Sequence, residues 1–136
     1  MTALTQDREP LYKYGDTKAY PVAAGVVIYV GALVCLNASG YAVPASDTAG
    51  LVFAGVSMQR ADNSTGAAGA ITVRVYRRGL FQFNASGLTV GGNFMAKVYA
   101  LDDNTFALTS TNSIQVGRLV EVDSAILGWI DITKAI

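Results

Sequence analysis

The residues able to do chemistry are few. The 136-residue chain has no histidine, which removes the commonest general base and a principal metal ligand. Its single cysteine, Cys35, has no imidazole to activate the thiol. It lies in an apolar run and reads as a small buried hydrophobe. Asp102-Asp103-Asn104 offers oxygen ligands, but the spacing and closing glutamate of an EF-hand loop are missing, so it reads as a hairpin turn. Gly91-Gly92 lacks the lysine and spacing of a phosphate loop. Asn37, Asn63 and Asn84 each open a glycosylation sequon, yet no charged-then-apolar leader is present to make those matches meaningful. Arg74, Arg77 and Arg78 form the one basic cluster. It is either a solvated strand end or a docking contact to an acidic partner surface, where arginine is favoured. These residues argue against an enzyme and against any bound metal or cofactor.

Composition points toward contacts rather than catalysis. Charged residues make up 15% of the chain, against about 25% in ordinary domains. Net charge is zero, so no field draws in nucleic acid. Asp7, Arg8, Glu9, Lys13, Asp16 and Lys18 all fall in the first twenty residues. The remainder must expose much uncharged surface, and surfaces of that kind tend to be interfaces.

The stretch that must be placed first is Val22 to Asn37, VAAGVVIYVGALVCLN. A membrane helix needs about 20 predominantly apolar residues, and this run is shorter and broken by Gly25 and Gly31. Val26 to Val30 and Leu33 to Leu36 are rich in β-branched residues. They read as two buried strands joined by a tight turn at Gly31-Ala32, or as one strand bent there. A run apolar on both faces needs cover on both sides.

Upstream, residues 1–20 are polar and carry Tyr12, Tyr14 and Tyr20 without an aliphatic period. They read either as an extended N-terminal arm, holding at most a short strand, or as a disordered tail, ahead of a body spanning 21–136. Downstream, short strands alternate with turn signals. Tyr41 to Val43 and Leu51 to Met58 precede a polar loop, Arg60 to Gly69. Then Ile71, Val73 and Val75 alternate with Thr72, Arg74 and Tyr76, the pattern of a half-buried strand. Leu80 to Phe83, Phe94 to Ala100, Thr105 to Thr109, Ile114 to Val122 and Ile126 to Ile132 complete the series. Such a series without a helical period predicts an all-β, single-domain antiparallel sandwich or barrel.

A faint repeat runs through it. GALVCLNASGYAVPAS from Gly31 is followed by FAGVSMQRAD from Phe53, and GNFMAKVYALDDNTFALTS from Gly92 by QVGRLVEVDS from Gln115. Gly55 and Gly117 occupy matching third positions. Either two hairpins merely look alike, or a half-sheet is duplicated.

These glycine-and-aliphatic patterns carry a resemblance. Ala24-Gly25-Val26-Val27, Gly31 to Leu36, Phe53-Ala54-Gly55-Val56, Val90-Gly91-Gly92 through Asn104, Ile114-Gln115-Val116-Gly117 to Glu121, and Leu127 to Ile132 together resemble the small capsid cement, or head decoration, proteins of tailed bacteriophages. The resemblance implies a jelly-roll-like or β-tulip-like body and no catalysis. It implies a homodimer or homotrimer, made in the host cytoplasm, that binds the outside of an assembled head and clamps major capsid protein subunits. No nucleic acid or membrane partner is implied. Arg8, Tyr12, Tyr14, Tyr20, Arg74, Arg77 and Arg78 are the expected interface residues. The alternative is a carbohydrate- or receptor-binding module of a phage virion, with Trp129, Tyr76 and Phe106 as a sugar platform.

Overall fold

Alternation builds the sheets. In the strand Thr72–Tyr76, Val73 and Val75 are fully buried while Thr72, Arg74 and Tyr76 face outward, as period-2 patterning requires. The computed structural model describes residues 3–9 and 15–134. The strands are β1 (Thr17–Pro21), β2 (Val26–Ile28), β3 (Leu33–Leu36), β4 (Ala42–Pro44), β5 (Val52–Ser57), β6 (Ala61–Asn63), β7 (Thr72–Tyr76), β8 (Leu80–Asn84), β9 (Lys97–Ala100), β10 (Phe106–Ala107), β11 (Gln115–Ser124) and β12 (Leu127–Asp131), followed by a 3₁₀ turn, Ile132–Lys134. The chain is all-β, as its sequence pattern predicts, and among the described residues it has no α-helix.

Two five-stranded antiparallel sheets carry the fold. Their strand orders are β1-β7-β5-β3-β4 and β8-β12-β11-β9-β10. Read in chain order, these are the same topology twice. The registers match too. Val34 faces Gly55 and Cys35 faces Phe53 in the first half; Val98 faces Gly117 and Tyr99 faces Gln115 in the second. Each sheet curls until its first and third strands approach through a parallel bridge, Val22 to Ala42 and Asn84 to Thr105. The faint sequence repeat is a duplicated five-stranded unit.

Two glycines make the duplication possible. A register shift precedes each, at Ala54 and at Val116, and each glycine has a positive φ, 152° for Gly55 and 156° for Gly117. A Cβ on Gly55 would lie 2.1 Å from the Tyr76 carbonyl oxygen, and one on Gly117 would lie 2.6 Å from that of Asp131. Only glycine allows the neighbouring backbone to come so close.

β3 is covered on both sides, as its composition demands. Leu33 and Cys35 join a core with Val98, Phe106, Leu119 and Ile130 of the second half. Val34 turns the other way, into a core with Ile28, Ala42, Val73 and Val75. The first core therefore welds the two halves together, and the second fills the first half.

The structure departs from expectation around β2. Tyr29 to Ala32 does form a turn, with Ala32 N–H donating to the Tyr29 carbonyl at 3.2 Å. However, β2 and β3 do not pair with each other. β2 pairs with β6 in a separate two-stranded sheet, so part of the expected Arg60–Gly69 loop is strand. The buried Ser57 hydroxyl fixes the turn by donating to the Tyr29 carbonyl and accepting from Ala32 N–H. Tyr29 and Val30, expected inside a buried strand, are 57% and 67% exposed. Phe94 and Met95 likewise precede β9 in a loop instead of opening the strand.

Candidate interaction surfaces

The arginine cluster holds the chain's own N-terminal segment. Arg77 Nη1 donates to the Gly15 carbonyl at 3.0 Å. Arg78 Nε lies 3.3 Å from Asp16 Oδ1, and Arg74 Nη1 donates to Thr17 Oγ1 at 3.2 Å. Arg77 N–H also donates to the Asp16 carbonyl at 2.9 Å. These contacts steer residues 15–17 into β1, which pairs with β7 from Thr17 opposite Tyr76 to Pro21 opposite Thr72. The last part of the expected arm is thus an edge strand of the body, crossing the boundary expected at residue 20. Arg8 is exposed in the described stretch 3–9, while Tyr12 and Tyr14 lie outside the described residues.

Tyr20 and Arg77 are brought together at a second place, the seam between the halves. With Leu51, Phe53, Gln115 and Ile132 they line a cleft of about 340 Å³. Phe53 and Gln115 are equivalent positions of the two units, since they face Cys35 and Tyr99. The halves therefore meet through corresponding strands, as two-fold-related subunits do.

Beside the cleft, the β4–β5 and β10–β11 loops are clasped by Asp47. Its carboxylate accepts from Thr111 N–H at 3.0 Å and Asn112 N–H at 2.8 Å. Those backbone bonds hold its carboxyl below the usual carboxylate range. Across the same seam, Leu33 N–H donates to the Asp103 carbonyl at 2.8 Å. Burial, then the charge of Asp102, raises the Asp103 carboxyl. Asn104 N–H donates to Asp102 Oδ1 at 2.8 Å, closing the turn the sequence predicts.

No family model, curated protein or solved structure matches this chain. Its chemistry must therefore be read from its own geometry. Among the described residues, no three His, Cys, Asp or Glu side chains group as metal ligands do, and no helix is long and apolar enough to cross a membrane. Cys35 is fully buried, and burial pushes its thiol up to about 12. Asn63, one of the sequon residues, is 2% exposed. Its amide donates to the Ala23 and Ala67 carbonyls at 2.9 Å, so it ties the loop after β6 to the β1–β2 connection.

The expected sugar platform does not form. Phe106 is fully buried in the shared core, and Tyr76 belongs to the first sheet, whereas Trp129 belongs to the second. Residues absent from the expected set do more. Asp47 and Asn112 lock the seam, and Asp123 binds the Trp129 indole N–H at 2.9 Å. Neither pairing has a local sequence signal, because the partners of the first lie in loops far apart and those of the second depend on strand register.

Proposed function

We propose that this chain is a structural protein of a phage head exterior, a cement or decoration protein that clamps neighbouring major capsid subunits. The observation that carries the proposal is the apolar surface of a charge-poor β body. Tyr29, Val30, Val52, Val90, Phe94 and Ile126 are each more than half exposed; Val52 starts a strand and the others lie in turns and loops between strands. A body with few charges that exposes this many large apolar side chains is suited to being covered by partners. The family resemblance of the glycine-and-aliphatic motifs supports the same reading.

The proposal includes self-association as a dimer or trimer, with the cement bound at several subunits at once. A cement that binds the assembled lattice and not loose subunits stabilises the lattice by mass action. Arg74, Arg77 and Arg78 then act indirectly, by setting where the N-terminal segment leaves the body. The clamp on a neighbour is then the segment ahead of Gly15, in which Arg8 is an exposed cation.

The test is co-sedimentation. Purified protein is mixed with undecorated heads and with unassembled capsid subunits. Saturable pelleting with heads and none with subunits is expected. Pelleting with neither would overturn the proposal.

A further inference from the structure

On the outer face of β11 and β12, two register shifts interrupt the ladder, between Leu119 and Glu121 and between Val122 and Ser124. Bulges re-aim side chains and are over-represented beside functional sites. The first sets Val120 and Glu121 together at the level of Trp129, which pairs with Glu121. At the second, Asp123 Oδ2 accepts from Trp129 Nε1 at 2.9 Å and from Gln82 Nε2 at 2.7 Å. The indole is held in place from behind.

In front of it lies an open groove of about 520 Å³, lined by Leu80, Phe94, Val120, Glu121 and Trp129. Phe94 is 57% exposed and Leu80 56% exposed. Phe94 sits between two non-glycine residues of positive φ, Asn93 at 58° and Met95 at 61°. Met95 N–H donates to the Leu119 carbonyl at 2.7 Å, which ties this uncommon backbone to β11. Glu121 is exposed, and its carboxylate has no hydrogen bond or ion pair among the described residues. The near cation in sequence, Arg118, donates to the Met95 carbonyl at 2.8 Å.

We propose that this groove receives an arginine side chain presented by an extended segment of a partner protein. The lining selects it by charge and shape. Leu80 and Val120 offer apolar walls to the methylene stem. Trp129 and Phe94 supply aromatic rings, to which guanidinium groups bind. Glu121 supplies a lone carboxylate for a paired, charge-assisted hydrogen bond. A neutral apolar side chain would cover Glu121 without pairing it, which is costly. An anionic one would be repelled. A saccharide would find a single hydrogen-bonding side chain on an otherwise apolar lining. The assignment does not depend on the capsid reading, since the groove would take an arginine from any partner.

Trp129 is the only tryptophan of the chain, so its emission reports on the groove directly. The full chain is titrated with an end-blocked Gly-Arg-Gly peptide. Gly-Glu-Gly, Gly-norleucine-Gly and a panel of monosaccharides serve as controls. The arginine peptide is expected to give a saturable change in emission, weakened roughly tenfold in both Glu121→Gln and Phe94→Ala. Both residues are exposed, so neither variant should disturb folding. The proposal is overturned if the arginine peptide gives no saturable change. It is equally overturned if a control peptide or a saccharide binds as well, or if Glu121→Gln binds like the parent chain.

Discussion

Asp47 and Asn112 hold each other twice. The Asp47 carboxylate accepts from Asn112 N–H at 2.8 Å, and Asn112 Nδ2 donates back to the Asp47 carbonyl at 2.8 Å. The loops that carry them are corresponding loops of two duplicated units, β4–β5 and β10–β11. The seam between the halves is thus closed by a polar clasp above an apolar core.

The clasp makes the seam sensitive to acid. Asp47 has a folded pKa below its unfolded value. Its contribution is therefore present above the ordinary aspartate pKa of about 3.9. It is lost as pH falls through the lower folded value. Asp47→Asn should lower the urea midpoint at pH 7, and the difference from the parent should shrink below pH 3. Equal midpoints at pH 7 would show that the clasp contributes nothing.

Asp103 should behave in the opposite sense. Its folded pKa is raised, by burial first and then by Asp102. The destabilisation is absent below the unfolded pKa and complete above the folded one. Asp103→Asn should therefore raise the urea midpoint at pH 7 and leave it unchanged at pH 3.

The paired glycines give a test of the duplication. Gly55→Ala and Gly117→Ala each drive a Cβ into the carbonyl of the adjacent strand and impose an unfavourable φ. Each should cost about 1–3 kcal/mol or more. Gly55→Ala should cost the more, since its clash is closer, 2.1 Å against 2.6 Å. Denaturant titration of the two variants measures both costs. An unchanged midpoint in either would mean that the close approach is not needed there.

How much of this was legible beforehand differs by element. The alternation of β7 and the double burial of β3 could be read directly, because each depends on the side chains of one strand. Gly55 and Gly117 marked the repeat, because close backbone approach leaves no other residue type. The β2–β6 sheet was not legible, since two three-residue strands carry too little pattern. The roles of Arg77 and Arg78 were hidden as well. Their partners are a carbonyl and a carboxylate some sixty residues earlier, and only the fold brings them together. The groove at Trp129 was invisible for a related reason: bulges at Val120 and Asp123 overturn the alternation from which outward-facing residues are inferred.

Cys35 offers an independent check on the shared core. A fully buried thiol with its pKa near 12 has almost no thiolate at neutral pH. A colorimetric disulfide reagent should find no thiol in the native chain and one per chain in denaturant. Fast native reaction at pH 7.5 would show that the halves open readily.

The N-terminal segment separates folding from clamping. Deleting residues 2–14 keeps β1 and the contacts of all three arginines, so the melting temperature should hold. Deleting residues 2–20 removes the strand that pairs with β7 and should lower it. Under the clamp proposal, the shorter deletion should nevertheless weaken binding to heads. Undiminished binding would leave the segment without that role.

The central claim is that the chain strengthens an assembled head. The direct measurement is the rupture temperature of heads built without it, from the major capsid protein of the phage to which the proposal assigns the chain, before and after saturation with the purified protein. The proposal predicts a rise that grows with occupancy and levels off at a fixed ratio of chains to capsid subunits. A rupture temperature that stays constant while the protein is bound, or heads that bind none of it, would contradict the account.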